Sequence, residues 1–172
     1  TCYRKLKRWD EAKEVYTLLQ NRLSDDGEPW KQMGLLKYEL EEFKGAMEDL
    51  TIAKGKFKIS ENEKGVNDSA YLIDEVKWIH AKSFMSKGDF EEACPRLNNL
   101  RAQNGMLRYG FDAAICYREA KQFAMATSVF SDVVEQFPNN SSLFAEFYEN
   151  IKRQNNIAET STNLEAHLQK SG

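Results

Sequence analysis

Residues 29–53 read PWKQMGLLKYELEEFKGAMEDLTIA, and the spacing of their apolar side chains decides the fold. Phe43, Ala46, Leu50 and Ala53 stand at offsets of 0, 3, 7 and 10, which share one face of an α-helix. A second helical pattern precedes them in the same stretch. Only three prolines and nine glycines occur in the 172 residues, which suits a mostly helical chain. The stretch therefore predicts a pair of helices.

The helix pair recurs along the chain, with a small residue inside each second helix: Ala12, Ala46, Ala93 and Ala126. The spacings between these alanines are 34, 47 and 33 residues. The first helices also carry a small residue where two helices should cross closely: Gly34, Ala81 and Ala114. Each pair has an apolar face that it cannot bury alone, so neighbouring pairs must stack.

The cysteines follow the same repeat. Cys2 begins CYRKLKRWDEA and Cys116 begins CYREAKQFAMA, and they lie 114 residues apart, which is the sum of the three spacings. We therefore assign both to one packing position on a first helix and expect buried, inert thiols. Thr1 would then lie inside a helix, so we expect further residues before it. Together with Cys94 the cysteines number three and none has CxxC spacing, so we expect no disulfide framework and a reducing compartment.

A helix pair that recurs about every 34 residues resembles the tetratricopeptide repeat. Residues 29–53 are the best match to its motif, and the ending VVEQFPNN supplies the terminal proline of the repeat at Pro138. The resemblance covers nearly the whole chain and implies an all-α fold, a right-handed α-solenoid of antiparallel helix pairs with about four and a half repeats. The chain departs from the motif at Pro95, which should kink or delay a second helix, and at Ile157, where the aromatic is absent.

We expect a single solenoid over residues 1–172, with these parts: a partial first repeat at 1–26, a second repeat at 27–57, an inserted loop at 58–68, a third repeat with a lengthened first helix at 69–105, a fourth repeat at 106–140, and a fifth or capping repeat at 141–172. The 47-residue spacing locates the insertion. Its first part is polar, with turn signals at Gly65 and Asn67, which predicts a mobile surface loop. This loop is either a tolerated insertion or a segment that contacts a partner. Gly55 is expected to cap the helix before it.

The family resemblance also implies a functional surface. In tetratricopeptide proteins the first helices line a concave groove that holds segments of partner proteins. On this alignment the groove-facing residues are Lys31, Leu35, Tyr38, Trp78, Ile79, Lys82, Met85, Arg108, Phe111, Ile115 and Arg118. Their apolar members favour a non-enzymatic scaffold that holds an apolar segment of a partner within a multiprotein complex, with a basic rim around it.

Several alternatives remain open. The groove residues could merely pack neighbouring first helices together. Chaperone-binding members of the family clamp a C-terminal carboxylate, but here Leu35 and Ile79 replace polar residues and Asp112 reverses a required charge. A structural subunit could stack on another solenoid or self-associate through its ends, and the aromatic-rich LFAEFY at Leu143–Tyr148 is a candidate surface for that role. An enzyme fragment is the last alternative, although no residue set argues for it.

Composition narrows the class of partner. With 24 basic and 27 acidic residues, the net charge of −3 leaves no basic footprint for nucleic acid. No apolar run approaches the roughly 18 residues that a membrane-spanning helix needs. His80 and His167 lie in different repeats without further ligands at metal spacing, and no catalytic motif is present, so we expect no metal, cofactor or catalysis. His80 is expected to pack against neighbours or to face the groove. We expect protein or peptide partners in the cytoplasm, with a ciliary or other large cytosolic assembly as one setting.

Overall fold

The structure, a computed structural model, describes residues 2–170, with side-chain surroundings for residues 3–156. Over residues 2–170 it consists of nine α-helices and contains no β-strand. The helices are α1 (Cys2–Lys5), α2 (Trp9–Arg22), α3 (Gly27–Glu39), α4 (Phe43–Ile59), α5 (Glu63–Ser86), α6 (Phe90–Asn104), α7 (Leu107–Glu119), α8 (Phe123–Gln136) and α9 (Ser141–Lys170). Short turns join consecutive helices that pack against each other, so the expected class of antiparallel helix pairs is confirmed.

Contacts between residues group the chain into two compact units, Thr1–His80 and Ala81–Gly172, called unit 1 and unit 2 below. The boundary falls inside α5. Unit 1 therefore holds α1 to α4 and most of α5, whereas unit 2 holds the end of α5 and α6 to α9. In unit 1, α2 packs on α3 and α3 on α4, and in unit 2 each helix from α6 to α9 packs on the next.

The core has the register that the sequence predicts. In each second helix the small residue and the apolar residue four positions later are at most 3% exposed: Ala12 and Tyr16, Ala46 and Leu50, Ala93 and Leu97, and Ala126 and Phe130. The small residues of the first helices are buried as well. Gly34 shows why, because a Cβ added there would stand 2.7 Å from Leu50 Cγ and 3.1 Å from the Ala46 carbonyl oxygen. Close helix crossings of this kind exclude larger side chains.

The turns between the two helices of a pair repeat one backbone conformation. A residue with φ between 57° and 77° occurs two positions before each second helix: Lys7, Glu41, Gly88 and Lys121. After α3 the Glu41 N–H donates to the Tyr38 carbonyl at 3.1 Å and the Glu42 N–H donates to the Lys37 carbonyl at 2.8 Å. These bonds are the Schellman pattern, which satisfies the last carbonyls of a helix. The left-handed residue therefore marks the repeat as regularly as the buried alanine does.

The predicted loop at 58–68 is wrong. α4 continues to Ile59 and α5 begins at Glu63, so residues 60–62 alone connect them. The carboxamide of Asn62 accepts a hydrogen bond from the Gly65 N–H at 2.9 Å, which caps α5. The inserted residues instead lengthen both helices, to 17 residues in α4 and 24 in α5, against 14 in α8 and 13 in α7. Gly55 lies inside α4 and does not cap it, which corrects a second expectation.

The second helix of the third pair begins where the sequence suggests. Asp89 precedes α6, and its carboxylate accepts a hydrogen bond from the Glu92 N–H at 3.4 Å. Pro95 lies inside α6, which starts at Phe90, so the proline does not delay the helix. An N-terminal cap fixes the start before the proline is reached.

Cys94 on α6 and Cys116 on α7 form a disulfide, with 5.4 Å between their Cα atoms. The expectation of no disulfide is therefore wrong, as is that of a free, inert thiol at Cys116. Twenty-two positions separate the two cysteines, and only the packing of α6 on α7 brings them together. Since disulfides persist in oxidising compartments, the bond removes the ground for expecting a reducing one. The side chain of Cys2 lies outside the described residues.

The last helix differs from the expected fifth pair. α9 runs from Ser141 to Lys170 without a break, so no second helix turns back within this range. The side chains that were expected to form that second helix, including Ile157, lie outside the described residues, as does His167.

Candidate functional site

The first helices of unit 1 carry five of the predicted groove residues. All five are half-buried: Lys31, Leu35, Tyr38, Trp78 and Ile79. The amine of Lys31 lies 2.7 Å from a Glu28 carboxylate oxygen and 5.4 Å from the centre of the Phe57 ring. Since Phe57 belongs to α4, Lys31 lies against the second helix of its own pair and is not a free cation on a groove rim.

Tyr38 connects α3 to α5. Its ring packs against a core cluster that contains Val76 of α5. Burial raises the pKa of the Tyr38 hydroxyl, and electrostatic interaction with Glu75 and Tyr71 on α5 raises it further. Tyr71 is 50% exposed. Neither residue was predicted from the sequence. Tyr71, Glu75 and Trp78 are spaced by four and then three positions, so all three lie on one face of α5.

Two of the predicted groove cations of unit 2 pair with acids on the neighbouring first helix. The Lys82 amine on α5 lies 3.3 Å from an Asp112 carboxylate oxygen on α7. Arg118 on α7 is 7% exposed and forms an ion pair with Glu146 on α9 through Nη1 at 2.5 Å. Arg108 donates from Nη2 to the Tyr109 hydroxyl at 2.8 Å. Each cation of the expected basic rim, Lys31, Lys82 and Arg118, therefore already has a carboxylate partner.

The apolar residues of unit 2 that were predicted to line the groove remain partly accessible. Met85, Phe111 and Ile115 are half-buried, whereas Ala113 and Ala114, on the other face of α7, are fully buried. α7 therefore divides its surface between a core face and a partly open face. The predicted apolar residues fall on the partly open face.

Two side-chain contacts of unit 1 tie neighbouring helices together. His80 of α5 stacks on Phe43 of α4, with 4.8 Å between ring centres and an interplanar angle of 26°, so it packs against a neighbour, which is one of its two expected roles. Asp49 is 6% exposed and lies 2.7 Å from the Lys37 amine. Burial raises the pKa of the Asp49 carboxyl, and the hydrogen bond and charge of Lys37 oppose that rise. The pair ties α3 to α4 within one repeat.

The end of α4 and the start of α5 border an open pocket of about 690 Å³. Its lining mixes apolar, basic and acidic side chains: Lys54, Phe57, Lys58, Glu61, Glu63, Val66 and Asn67. Among the described residues no group of three or more His, Cys, Asp or Glu side chains could hold a metal ion. Over the same part of the chain, no helix is both long and apolar enough to cross a bilayer.

Comparisons with known proteins agree with this geometry. Residues 110–140 match the family model described as tetratricopeptide repeat. The structure of MamA AMB-1 is 12% identical over 92% of this chain and 80% of that chain, with a TM-score of 0.51. MamA from Desulfovibrio magneticus RS-1 is 18% identical over 98% and 91%, with a TM-score of 0.48. YrrB, described as a TPR protein with an unusual peptide-binding site, is 16% identical over 84% and 86%, with a TM-score of 0.49. No curated protein matches the sequence.

The matched segment begins at Gly110 in α7 and extends through α8 to Asn140, which is one helix pair without its first few residues. The other pairs repeat its buried alanine and its left-handed turn residue at the same positions. At 12% identity, the likeness to MamA AMB-1 concerns the fold alone. Residues 110–140 are therefore a tetratricopeptide repeat, and the described helix pairs have the fold seen in MamA AMB-1.

Proposed function

We propose that the chain is a non-enzymatic interaction scaffold whose first helices hold an apolar segment of a partner protein. The observation that carries the proposal is the burial of the predicted apolar residues. None of them is fully buried and none is fully exposed: Leu35, Tyr38, Trp78, Ile79, Met85, Phe111 and Ile115. Side chains that are held in place yet partly open lose little conformational entropy when a partner covers them, which suits binding hot spots.

The ion pairs define the chemistry of the partner. Since Lys31, Lys82 and Arg118 already have carboxylate partners, an acidic segment would have to break existing pairs in order to bind. A C-terminal carboxylate clamp is disfavoured for the same reason, because Asp112 holds Lys82. We therefore propose that recognition rests on apolar contact, and that the partner segment is apolar and close to neutral. A multiprotein complex is the setting in which such a scaffold would act.

Substitution of Trp78 and Phe111 tests the proposal. Twelve-residue peptides would first be selected from a displayed random library on the full chain. We expect Trp78→Ala and Phe111→Ala each to weaken binding of the selected peptides about tenfold or more, because large buried contacts dominate such interfaces. Fluorescence anisotropy measures the affinity, and circular dichroism measures helicity and the melting temperature.

The matched control is Ile59→Ala, which removes an apolar side chain that is 85% exposed on α4. It should leave peptide affinity unchanged. Loss of helicity in both aromatic variants would identify Trp78 and Phe111 as packing residues, and unchanged affinity in both folded variants would identify a different binding surface. Either result contradicts the proposed function.

A further inference from the structure

α9 presents an apolar stripe to solvent. Phe144, Tyr148 and Ile151 are 44%, 70% and 37% exposed. They stand at i, i+4 and i+7, so their side chains lie on one face of the helix. A face that a repeat array exposes to solvent is normally polar, which keeps the array soluble. The apolar face of α9 departs from that rule.

The repeat register shows what normally covers this face. α9 corresponds to α7 with a shift of 34 residues, because Leu143 and Asn150 are fully buried, as are Tyr109 and Cys116. On the same shift, Phe144 takes the position of Gly110, and Tyr148 takes that of Ala114.

In α7 those positions lie under the second helix of the pair. A Cβ added at Gly110 would stand 2.5 Å from Val133 Cγ2 on α8. In α3 the equivalent small residue is Gly34, which lies under Leu50 of α4. The face that α9 exposes is therefore a face built for helix packing. In α9 it carries large side chains, and no second helix returns to it before Lys170.

Charge gives a second, independent observation. Each pair of neighbouring first helices in unit 2 is joined by one cation and one acid, Lys82 with Asp112 and Arg118 with Glu146. The two acids are 34 residues apart and share one register position. Lys152 lies 34 residues after Arg118, is exposed, and has no acidic partner among the residues 3–156 whose side chains are described.

We propose that the α9 face, defined as Phe144, Tyr148, Ile151 and Lys152, docks an amphipathic helix of a partner protein. The helix lays apolar side chains on the stripe and places a carboxylate beside Lys152.

A second copy of this chain offers no free carboxylate at the matching register position of its described first helices. There, α3 carries Gln32 and α5 carries Ile79, and Asp112 and Glu146 are already paired. We assign the occupant to a helix of a different protein with an acidic edge. None of the four residues of the α9 face is among the residues assigned to the proposed groove, so each surface can be tested alone.

Two synthetic peptides of about four helical turns, stabilised by side-chain links, serve as probes. Both carry leucines on one face, and their edges carry glutamates in one peptide and lysines in the other. We expect the full chain to bind the glutamate-edged peptide about tenfold or more tightly than the lysine-edged one at low salt. Fluorescence anisotropy with labelled peptides measures both affinities.

Two variants locate the binding on the α9 face. Tyr148→Ala should lower the affinity for the glutamate-edged peptide about tenfold or more. Lys152→Glu should reverse the preference between the peptides, which a purely structural role of the lysine would not do. Ile59→Ala is the control and should change neither affinity, while circular dichroism verifies that every variant keeps its helicity.

Three outcomes would overturn the proposal: neither peptide binds, affinity survives Tyr148→Ala, or the preference survives Lys152→Glu. Light scattering over a dilution series tests whether a second copy of this chain occupies the α9 face instead. A dimer that Tyr148→Ala dissociates would show that a second copy occupies the face, which also contradicts the proposal.

Discussion

At the scale of single residues, two glycines of unit 1 differ in the space that surrounds them. Gly55 lies inside α4, and a Cβ added there would meet nothing within 4 Å. Gly65 lies in the first turn of α5, and a Cβ there would stand 2.4 Å from Cγ of the Phe57 ring. Phe57 is itself 4% exposed, and its ring is also packed against Gly27, where an added Cβ would stand 2.9 Å from ring atoms. Glycine therefore destabilises the helix at position 55, whereas at position 65 it leaves the room that the Phe57 ring needs.

We therefore expect opposite effects from the same substitution. Gly55→Ala should raise the free energy of unfolding by about 0.5–1 kcal/mol, because alanine restricts the unfolded chain and suits a helix interior. Gly65→Ala should lower it by about 1–3 kcal/mol through overpacking against Phe57. Urea denaturation followed by circular dichroism measures both. A shift in the same direction for both variants would contradict the assigned environments.

At the scale of the elements, the turns inside the helix pairs are built on one left-handed residue. In the third pair this residue is Gly88, whereas the other pairs place Lys7, Glu41 and Lys121 there. A residue with a Cβ costs roughly 1 kcal/mol more than glycine in this conformation. The repeat therefore keeps a small strain in three of its four described turns.

Glycine at such a turn should relieve that strain. We expect Glu41→Gly to be neutral or to raise the free energy of unfolding by up to about 1 kcal/mol, since glycine adopts φ near 59° without a steric penalty. The neighbouring variant Glu42→Gly is the control, because Glu42 has φ of −78° and glycine there only adds freedom to the unfolded chain. Urea midpoints compare the two. A more stable Glu42→Gly than Glu41→Gly would argue against the turn assignment.

Some helix boundaries can be predicted from the local sequence and others cannot. The start of α6 could be predicted, since Asp89 caps it through Glu92 three residues later. The ends of α4 and the start of α5 could not, because the polar residues between them are compatible with a loop or with an exposed helix. Their helical state is supported by tertiary contact, as Phe57 is buried under Gly65 of the next helix.

At the scale of the whole molecule, the disulfide is the covalent link between two helices of unit 2. It joins α6 to α7, so it connects the third pair to the fourth. A loop closed by residues 22 positions apart restricts the unfolded chain by roughly 3 kcal/mol in the chain-entropy model. In a repeat array this stabilisation acts mainly on the neighbouring pairs, since each pair contacts only the next.

We expect the paired variant Cys94→Ser with Cys116→Ser to lower the melting temperature relative to the oxidised chain. Burial of two hydroxyls in place of the disulfide adds to the loss of the cross-link. Scanning calorimetry with and without a reductant measures the effect, and the paired variant should be insensitive to the reductant. Equal melting of the oxidised chain and the variant, together with free thiols in a mass measurement, would show that the bond does not form.

The sequence by itself determined the helix pairs, their register and their buried alanines, because periods of 3.6 and of about 34 residues are properties of the chain read in order. It also placed the apolar residues of the proposed groove on the first helices. Tertiary structure alone decided the Cys94–Cys116 bond, the ion pairs that neutralise Lys82 and Arg118, and the exposure of Tyr148. Each of these depends on which helix lies opposite a given face, and residues distant in the chain become neighbours only when the helices pack.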